Sequence, residues 1–209
     1  MSERVTPRWL DWAREIAALS QIGLHFVHDE YDRLRYKRLQ NLSAEILASY
    51  SDLPVEQFLQ VLSAQAGYAT PKVDVRAAVF RDSKLLMVRE RSDGGWTMPG
   101  GWADVGDVPS QAAERETWEE AGFRVQARKL LGVYDANRAG PLELFHAYKL
   151  IYLCELLDGQ ATPSLETTEV AFFSAEAVPG NLSGERTLPR HIQDAFLALA
   201  NPQLPTVFD

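Results

Sequence analysis

The sequence contains one cysteine, no long uninterrupted apolar run and no excess of positive charge. A single cysteine, Cys154, excludes an intrachain disulfide, and its apolar neighbours predict a small core residue. The longest apolar stretch, residues 145–157, is broken by a histidine, a lysine and a glutamate, so we expect no membrane span. The first residues also lack the apolar run of a signal peptide, which predicts a cytoplasmic protein.

The shortage of basic residues narrows the range of partners. Lysine and arginine together number 21 against 29 acidic residues, which gives a formal net charge of −8. Because long nucleic acids are usually bound by a basic surface, we expect none as a partner. A small anionic substrate is compatible with this charge if a metal ion supplies positive charge locally.

The pattern of apolar residues changes about a third of the way along the chain. Before that point apolar side chains recur every three or four positions, which predicts helices. The last of these helices, over residues 54–66, would have Asp52 as its N-cap. Glycine and proline in residues 67–71 predict a linker. We therefore predict an all-helical domain over residues 1–66 and a second domain over residues 67–209.

The second domain combines strand and helix patterns. Residues 73–80 place apolar side chains at every second position, which predicts a half-buried strand. Helical spacing returns in two later segments. Further strands are predicted at 85–88, 129–135, 145–156 and 169–174, a turn at 139–141, and helices at 109–121 and 189–200. The sequence thus predicts a mixed α/β domain with two helices.

The helix predicted at 109–121 carries a cluster of acidic residues. Glu116, Glu119 and Glu120 are spaced at i, i+3 and i+4, so their carboxylates lie on one side of the helix and repel one another. A hard divalent cation such as Mg²⁺ resolves this conflict, because it takes carboxylate oxygens and leaves positions for phosphate oxygens and water. Gly100, in the Gly-Gly pair before the helix, lets the backbone approach closely and offer a carbonyl ligand. Taken alone, the glutamates are equally compatible with a solvated acidic helix face.

The spacing of this segment matches a known motif. The matching residues are Gly101, Arg115-Glu116, Glu119-Glu120, Gly122 and Phe123. In this order they resemble the Nudix box, although Asp107 stands where that family has glutamate and Thr117 where an aliphatic residue is usual. The resemblance implies an α/β protein with the Nudix fold, a mixed sheet between helices, preceded here by an all-helical extension.

The resemblance also implies roles for the residues of the box. Glu116, Glu119 and Glu120 match the family's metal ligands, and the carbonyl of Gly100 is a further candidate ligand. The expected ion is Mg²⁺, for which Mn²⁺ is a substitute. Glu119 and Glu120 are expected to serve catalysis as well, and Arg115 matches the arginine that orients the glutamates.

Residues outside the box complete the expected site. Many relatives add an acidic residue immediately before a late strand, where it ligates a metal or takes a proton from the attacking water. Glu169 fits that place best, and Glu166 is the runner-up. Arg76 is the favoured candidate for binding substrate phosphate, and Trp102 is a candidate for stacking on a base.

Segments along nearly the whole chain resemble a narrower group of Nudix hydrolases that have an N-terminal helical extension. They include Trp9-Leu10-x-Trp12-Ala13, Tyr31-Asp32-Arg33-x-Arg35-Tyr36 and Thr70-Pro71-Lys72-Val73-Asp74-Val75-Arg76. This group is associated with nucleoside diphosphates linked to a group X, notably CDP-choline and ADP-ribose, and its extension with dimerisation. The implied reaction is hydrolysis of the pyrophosphate bond by a homodimer, which gives a nucleoside monophosphate and phosphorylated X. Two alternatives stay open: a pyrophosphatase that sanitises damaged nucleoside triphosphates, and a ligand-sensing module without turnover.

Overall fold

The computed structural model describes residues 7–136, 145–184 and 186–209. The described residues divide into two compact units, an N-terminal unit with residues 7–71 and 145–146, and a C-terminal unit with the remaining residues from Lys72 onward. Within the described ranges, no helix is long and apolar enough to cross a membrane.

Three helices make up the described part of the N-terminal unit. They are α1 (Arg8–Phe26), α2 (Glu30–Ser49) and α3 (Val55–Ser63). Their shared core contains Leu10, Ala13, Ala44, Leu47 and Leu62. The helical spacing of the sequence predicted these elements correctly, but the expected cap of α3 is wrong. The helix begins at Val55 with Pro54 at the N-cap and no side-chain hydrogen bond, so Asp52 lies too early in the chain to cap it.

Eight strands form the sheet in the described part of the C-terminal unit. They are β1 (Lys72–Arg81), β2 (Lys84–Glu90), β3 (Trp96–Thr97), β4 (Gly100–Trp102), β5 (Phe123–Asp135), β6 (Ala147–Gly159), β7 (Thr167–Phe173) and β8 (Val207–Phe208). The strand order is β3-β2-β1-β6-β5-β8, with β4 paired to β1 and β7 paired to β2. Because β1 runs parallel to β6 and antiparallel to β2 and β4, the sheet is mixed, as predicted. The turn predicted at 139–141 lies outside the described residues.

Helices cover both faces of this sheet. One face includes Val75 and Val79 of β1 and packs against the alanines of α4 (Pro109–Ala121). The other face includes Ala78 of β1 and packs against α5 (Pro189–Ala200). The result is the expected arrangement of a mixed sheet between helices.

The helices on both faces of the sheet change the solvent exposure of β1. The prediction of a half-buried strand is wrong, because α4 and α5 exclude water from both of its faces. Asp74 and Arg76 are only 6% and 3% exposed. The alternation in the sequence therefore indicated a strand correctly, but not that its polar side chains are buried together with the apolar ones.

The ends of α4 follow from its local sequence, and the helix predicted at 109–121 is confirmed. Pro109 occupies the first turn, where its missing N–H costs no hydrogen bond. Gly122 ends the helix in the left-handed region with φ 74°. A Cβ at Gly122 would lie 2.6 Å from the carbonyl oxygen of Gln160, so close packing as well as conformation favours glycine here.

Candidate active site

The three glutamates of α4 differ in their access to solvent. Glu120 is 5% exposed, whereas the side chains of Glu116 and Glu119 are 14% and 54% exposed. Since Ala113 and Ala121 face the sheet, the acidic side of the helix lies at the margin of the core. The carboxylates therefore form a series from buried to open.

Glu120 is tied to the β4 segment and to β7. Its Oε2 accepts a 2.9 Å hydrogen bond from the backbone N–H of Gly100. Its carbonyl oxygen accepts a 2.8 Å hydrogen bond from the hydroxyl of Thr167. Burial raises the pKa of the Glu120 carboxyl to about 7, although the charge of Arg76 and the Gly100 hydrogen bond oppose that shift.

Gly100 is needed for this close approach, and Gly101 leaves room for the carboxylate of Glu116. Gly100 lies opposite Arg76 in the β1–β4 pairing, and a Cβ on it would lie 2.0 Å from the carbonyl oxygen of Val75. Gly100 also has φ 144°, which side chains rarely adopt. A Cβ on Gly101 would lie 3.2 Å from Oε2 of Glu116. The Gly-Gly pair thus lets β4 lie close to β1, to Glu116 and to Glu120.

Arg115 is the centre of an ionic network on the open side of α4. Its guanidinium lies 2.8 Å from Glu116, 3.1 Å from Glu119 and 3.1 Å from Asp107. Although burial lowers the pKa of Arg115, these carboxylates raise it more. Asp107 also accepts a hydrogen bond from the N–H of Asp104, and that bond and Arg115 lower its pKa. The shorter side chain at position 107 therefore still reaches the arginine of the box.

The donor set fits a hard divalent cation in its chemistry. Across the described residues, no three acidic, histidine or cysteine side chains already converge on one point. Each glutamate instead has a protein partner, Arg115 for Glu116 and Glu119, and the Gly100 N–H for Glu120. Three carboxylates and neighbouring carbonyls, partly shielded from water, are the oxygen ligands that Mg²⁺ and Mn²⁺ take.

The two later acidic residues lie in different surroundings. Glu169 is paired across the β2–β7 ladder with Arg89, at 2.6 Å. It alternates onto the strand face of Ala171 and Phe173, which packs against α5 and not against α4. Glu166 precedes Thr167, the residue bonded to the end of α4. The structure thus joins Thr167, the neighbour of Glu166, to the end of α4, whereas Glu169 lies on the face of β7 that packs against α5.

The two residues predicted to bind substrate also differ. Trp102 is 46% exposed, and nothing in its position conflicts with stacking. Arg76 is almost fully buried, and its guanidinium donates to Asp74 and to the carbonyl of Met98. Its position is therefore that of a fixed internal group next to the site.

Glu90, at the end of β2, is a buried acidic residue that the sequence analysis missed. It is 5% exposed and its Oε1 lies 3.5 Å from Arg186. Its charge contributes to the raised pKa of Glu120, after burial. The available signal was strand periodicity: Glu90 falls on the face of Leu86 and Val88, which pack against α4.

Both parts of the chain are similar to known protein families. Residues 7–62 match a family described as UDP-X-like, N-terminal oligomerisation domain, and residues 70–193 match the NUDIX domain. The chain is 39% identical to YjhB of Bacillus subtilis (strain 168), provisionally named an ADP-ribose pyrophosphatase, over 99% of both chains.

Two crystal structures are also similar. A UDP-X diphosphatase is 33% identical with a TM-score of 0.62, and the match covers 97% of this chain and 98% of that one. An ADP-ribose pyrophosphatase from Streptococcus suis 89-1591 is 34% identical with a TM-score of 0.61, and the match covers 67% of this chain and all of the other. The NUDIX match spans more than half of the sequence, and YjhB is related along its full length. The chain therefore belongs to the Nudix hydrolase family.

Proposed function

We propose that the protein hydrolyses the pyrophosphate bond of a nucleoside diphosphate linked to a second group, of the ADP-ribose or CDP-choline type. The products are a nucleoside monophosphate and the phosphorylated second group. The observation that carries this proposal is the cluster of Glu116, Glu119 and Glu120 beside Arg115 and Gly100. The names of the relatives, an ADP-ribose pyrophosphatase and a UDP-X diphosphatase, support a substrate of this class.

The proposed cofactor is Mg²⁺, with Mn²⁺ as a substitute. Glu116, Glu119, Glu120 and the carbonyl of Gly100 would hold it. When bound, a divalent ion neutralises diphosphate oxygens and makes water a better nucleophile near neutral pH. The fit rests on the donor chemistry of the four groups and on their partial shielding from water.

The protein's own groups orient the reaction. Arg115 holds Glu116 and Glu119 in fixed directions through its ion pairs. Water attacks one phosphorus, the bond from that phosphorus to the bridging oxygen breaks, and the bridging oxygen leaves with the electron pair. The proton of the water passes to a carboxylate, for which Glu166 and Glu169 are the candidates. Trp102 is the candidate to stack on the base.

A substrate screen tests this function. ADP-ribose, CDP-choline, a UDP-linked sugar and a damaged nucleoside triphosphate are each incubated with Mg²⁺, and the products are separated by chromatography. We expect a nucleoside monophosphate from at least one diphosphate conjugate. A clear preference for the triphosphate would favour a sanitising enzyme, and no turnover of any compound would favour a ligand-sensing module. The Glu120→Gln protein, purified in parallel, reports contaminating phosphatases.

We also propose that the protein acts as a homodimer through its N-terminal unit. Large apolar side chains in this unit are at least 50% exposed, including Trp12, Leu19, Phe26 and Leu34 on the helices and Leu53 between α2 and α3. A groove of about 810 Å³ opens on this unit between residues of α1, the end of α2 and α3. A unit of this size hides little apolar surface by itself, and an isologous contact with a second copy is the commonest way to cover it. The oligomerisation domain matched by residues 7–62 supports this assignment.

A further inference from the structure

A cluster of three buried charges lies on β1 and β6, beside the candidate active site. Oδ1 of Asp74 accepts hydrogen bonds from Nε of Arg76 at 3.0 Å and from Nζ of Lys149 at 2.9 Å. Oδ2 of Asp74 accepts from Nη2 of Arg76 at 2.8 Å. All three residues are at most 6% exposed. The carboxylate thus fixes the arginine with two parallel bonds, which sets both its position and its plane.

Burying these three charges costs free energy. Removing charges from water costs more than an apolar replacement of similar volume, so stability alone does not account for two cations around one anion. Burial lowers the pKa of Arg76, whereas the charge and hydrogen bonds of Asp74, followed by the charges of Glu120 and Glu90, raise it. The cluster is therefore connected to the acidic end of the site.

Arg76 also connects to the segment that carries Gly100. Its Nη1 donates a 3.2 Å hydrogen bond to the carbonyl of Met98. The next residue on β1, Ala77, donates its backbone N–H to the carbonyl of Pro99 at 2.9 Å. Gly100 then pairs with Arg76 across the β1–β4 ladder and donates to Glu120. The side chain of Arg76 and the backbone of β1 together hold residues 98–100 in place.

We infer that Arg76 is a positioning residue: Asp74 fixes its guanidinium, and its bond to Met98 fixes the 98–100 segment against Glu120. The segment then presents the Gly100 carbonyl and the Glu120 carboxylate in one orientation for a divalent cation. Arginine is required because its planar fork reaches Asp74 and Met98 at the same time, whereas a lysine ammonium is a single point of contact. This inference rests on the proposed metal-dependent function and replaces the expectation that Arg76 binds substrate phosphate.

Metal binding tests the inference without turnover. Mn²⁺ is titrated into wild type, Arg76→Lys and Lys149→Met, and free Mn²⁺ is followed by electron paramagnetic resonance. Arg76→Lys keeps the charge and loses the fork, and we expect its Mn²⁺ affinity to fall about 10- to 100-fold, the usual loss when a group behind a metal ligand is removed. Lys149→Met is the matched control, because it removes a buried cation from the same carboxylate and leaves both bonds of the arginine. We expect its Mn²⁺ affinity to stay close to that of wild type.

Kinetics then separate positioning from substrate binding. At saturating metal, Arg76→Lys should lower kcat with little change in KM. Wild-type Mn²⁺ affinity together with a raised KM would overturn the inference and make Arg76 a substrate ligand. An equal loss of Mn²⁺ affinity in Lys149→Met would also overturn it, because the whole cluster would then act only through core stability.

A second variant covers the case in which Arg76→Lys does not fold. Asp74→Asn keeps one acceptor for Arg76 and removes the two-bond clamp, so it should also weaken Mn²⁺ binding. Wild-type Mn²⁺ affinity in a folded Asp74→Asn protein would contradict the inference. Failure of wild type to cleave any diphosphate conjugate would instead count against the proposed function, since the Mn²⁺ titration needs no substrate.

Discussion

Oε2 of Glu120 accepts a 2.9 Å hydrogen bond from the backbone N–H of Gly100, twenty positions earlier in the chain. This bond joins the buried end of the α4 acidic series to the glycine segment beside β1. It places a carboxylate and a backbone carbonyl, two oxygen ligands of the kind Mg²⁺ prefers, on neighbouring residues in space. A single substitution at either position therefore affects both.

Glu116→Gln and Glu120→Gln should each lower kcat at least about a hundredfold, because each removes an anionic ligand from the site and a metal contributes several kcal/mol to such reactions. Glutamine has nearly the same shape, so the fold should persist. Steady-state rates at saturating Mg²⁺ and circular dichroism measure the two effects.

The matched control for these variants is Glu114→Gln on the same helix. Oε1 of Glu114 accepts a 2.8 Å hydrogen bond from the N–H of Ala127, and a glutamine oxygen can accept it too. We expect activity near that of wild type. Wild-type rates in both Glu116→Gln and Glu120→Gln, or full activity in excess EDTA, would end the assignment of the metal site.

The chemistry of α4 was predictable from sequence because it is local. Pro109 and Gly122 mark the ends of the helix by their own backbone preferences. The spacing of Glu116, Glu119 and Glu120 places them on one side of any helix. No long-range contact is needed for either conclusion, and the structure agrees with the helix bounds.

The burial of Asp74 and Arg76 was not predictable in the same way. It depends on α4 and α5, which are distant in sequence and cover opposite faces of β1. The burial of Glu90 was not predictable for a similar reason, because its ion-pair partner Arg186 lies in a loop that is distant in sequence. Alternation identifies strand faces, but it does not tell which faces other elements will cover.

The choice of the late acidic residue depends on contacts between elements that are distant in sequence. The register of β2 and β7 shifts between Arg89 and Glu90, and such an irregularity changes which residues share a strand face. In the sequence, its place at the start of the predicted late strand favoured Glu169, but β7 begins two residues earlier, at Thr167. The ion pair of Glu169 with Arg89 and the bond of Thr167, the neighbour of Glu166, to the end of α4 now favour Glu166.

We expect Glu166→Gln to lower kcat more than Glu169→Gln. The reason is that Glu166 precedes Thr167, which bonds to the carbonyl of Glu120, whereas Glu169 lies on the α5 side of its strand. Comparing kcat for the two variants under identical Mg²⁺ conditions decides between them. A strong loss in Glu169→Gln alone would restore the choice made from sequence.

His191 should make stability depend on pH. It is 2% exposed, and its Nδ1 accepts a hydrogen bond from the N–H of Leu188. Burial lowers its pKa to about 3. Between that value and the ordinary value of about 6.5 the unfolded chain binds the proton and the folded chain does not, so stability is lost as pH falls. From pH 7 to pH 5 this histidine should remove about 2 kcal/mol of unfolding free energy.

The measurement is urea unfolding of wild type and His191→Asn at both pH values. Asparagine keeps an acceptor for Leu188 and has no proton to gain. Glu120 titrates in the same window with the opposite sign, because its pKa is raised and the folded state binds the proton first. The difference between the two proteins cancels that effect. We expect this difference to shrink by about 2 kcal/mol at pH 5, and an unchanged difference would show that His191 does not carry the dependence.

The full chain should be a dimer whose contact includes the groove of the N-terminal unit. The groove is lined by apolar side chains that include Trp9, Leu53, Phe58 and Val61. Val61→Glu puts a charge into it, and leaving that charge buried without a partner in the contact should favour the monomer. Light scattering at micromolar concentration measures the mass against 23.4 kDa for one chain. Tyr31→Glu is the control, since Tyr31 is 74% exposed and does not line the groove.

Three outcomes would contradict this prediction. A monomeric wild type would exclude the dimer. Dissociation by Tyr31→Glu alone would place the contact at the start of α2, and a truncation from Tyr68 that stays dimeric would place it outside the N-terminal unit.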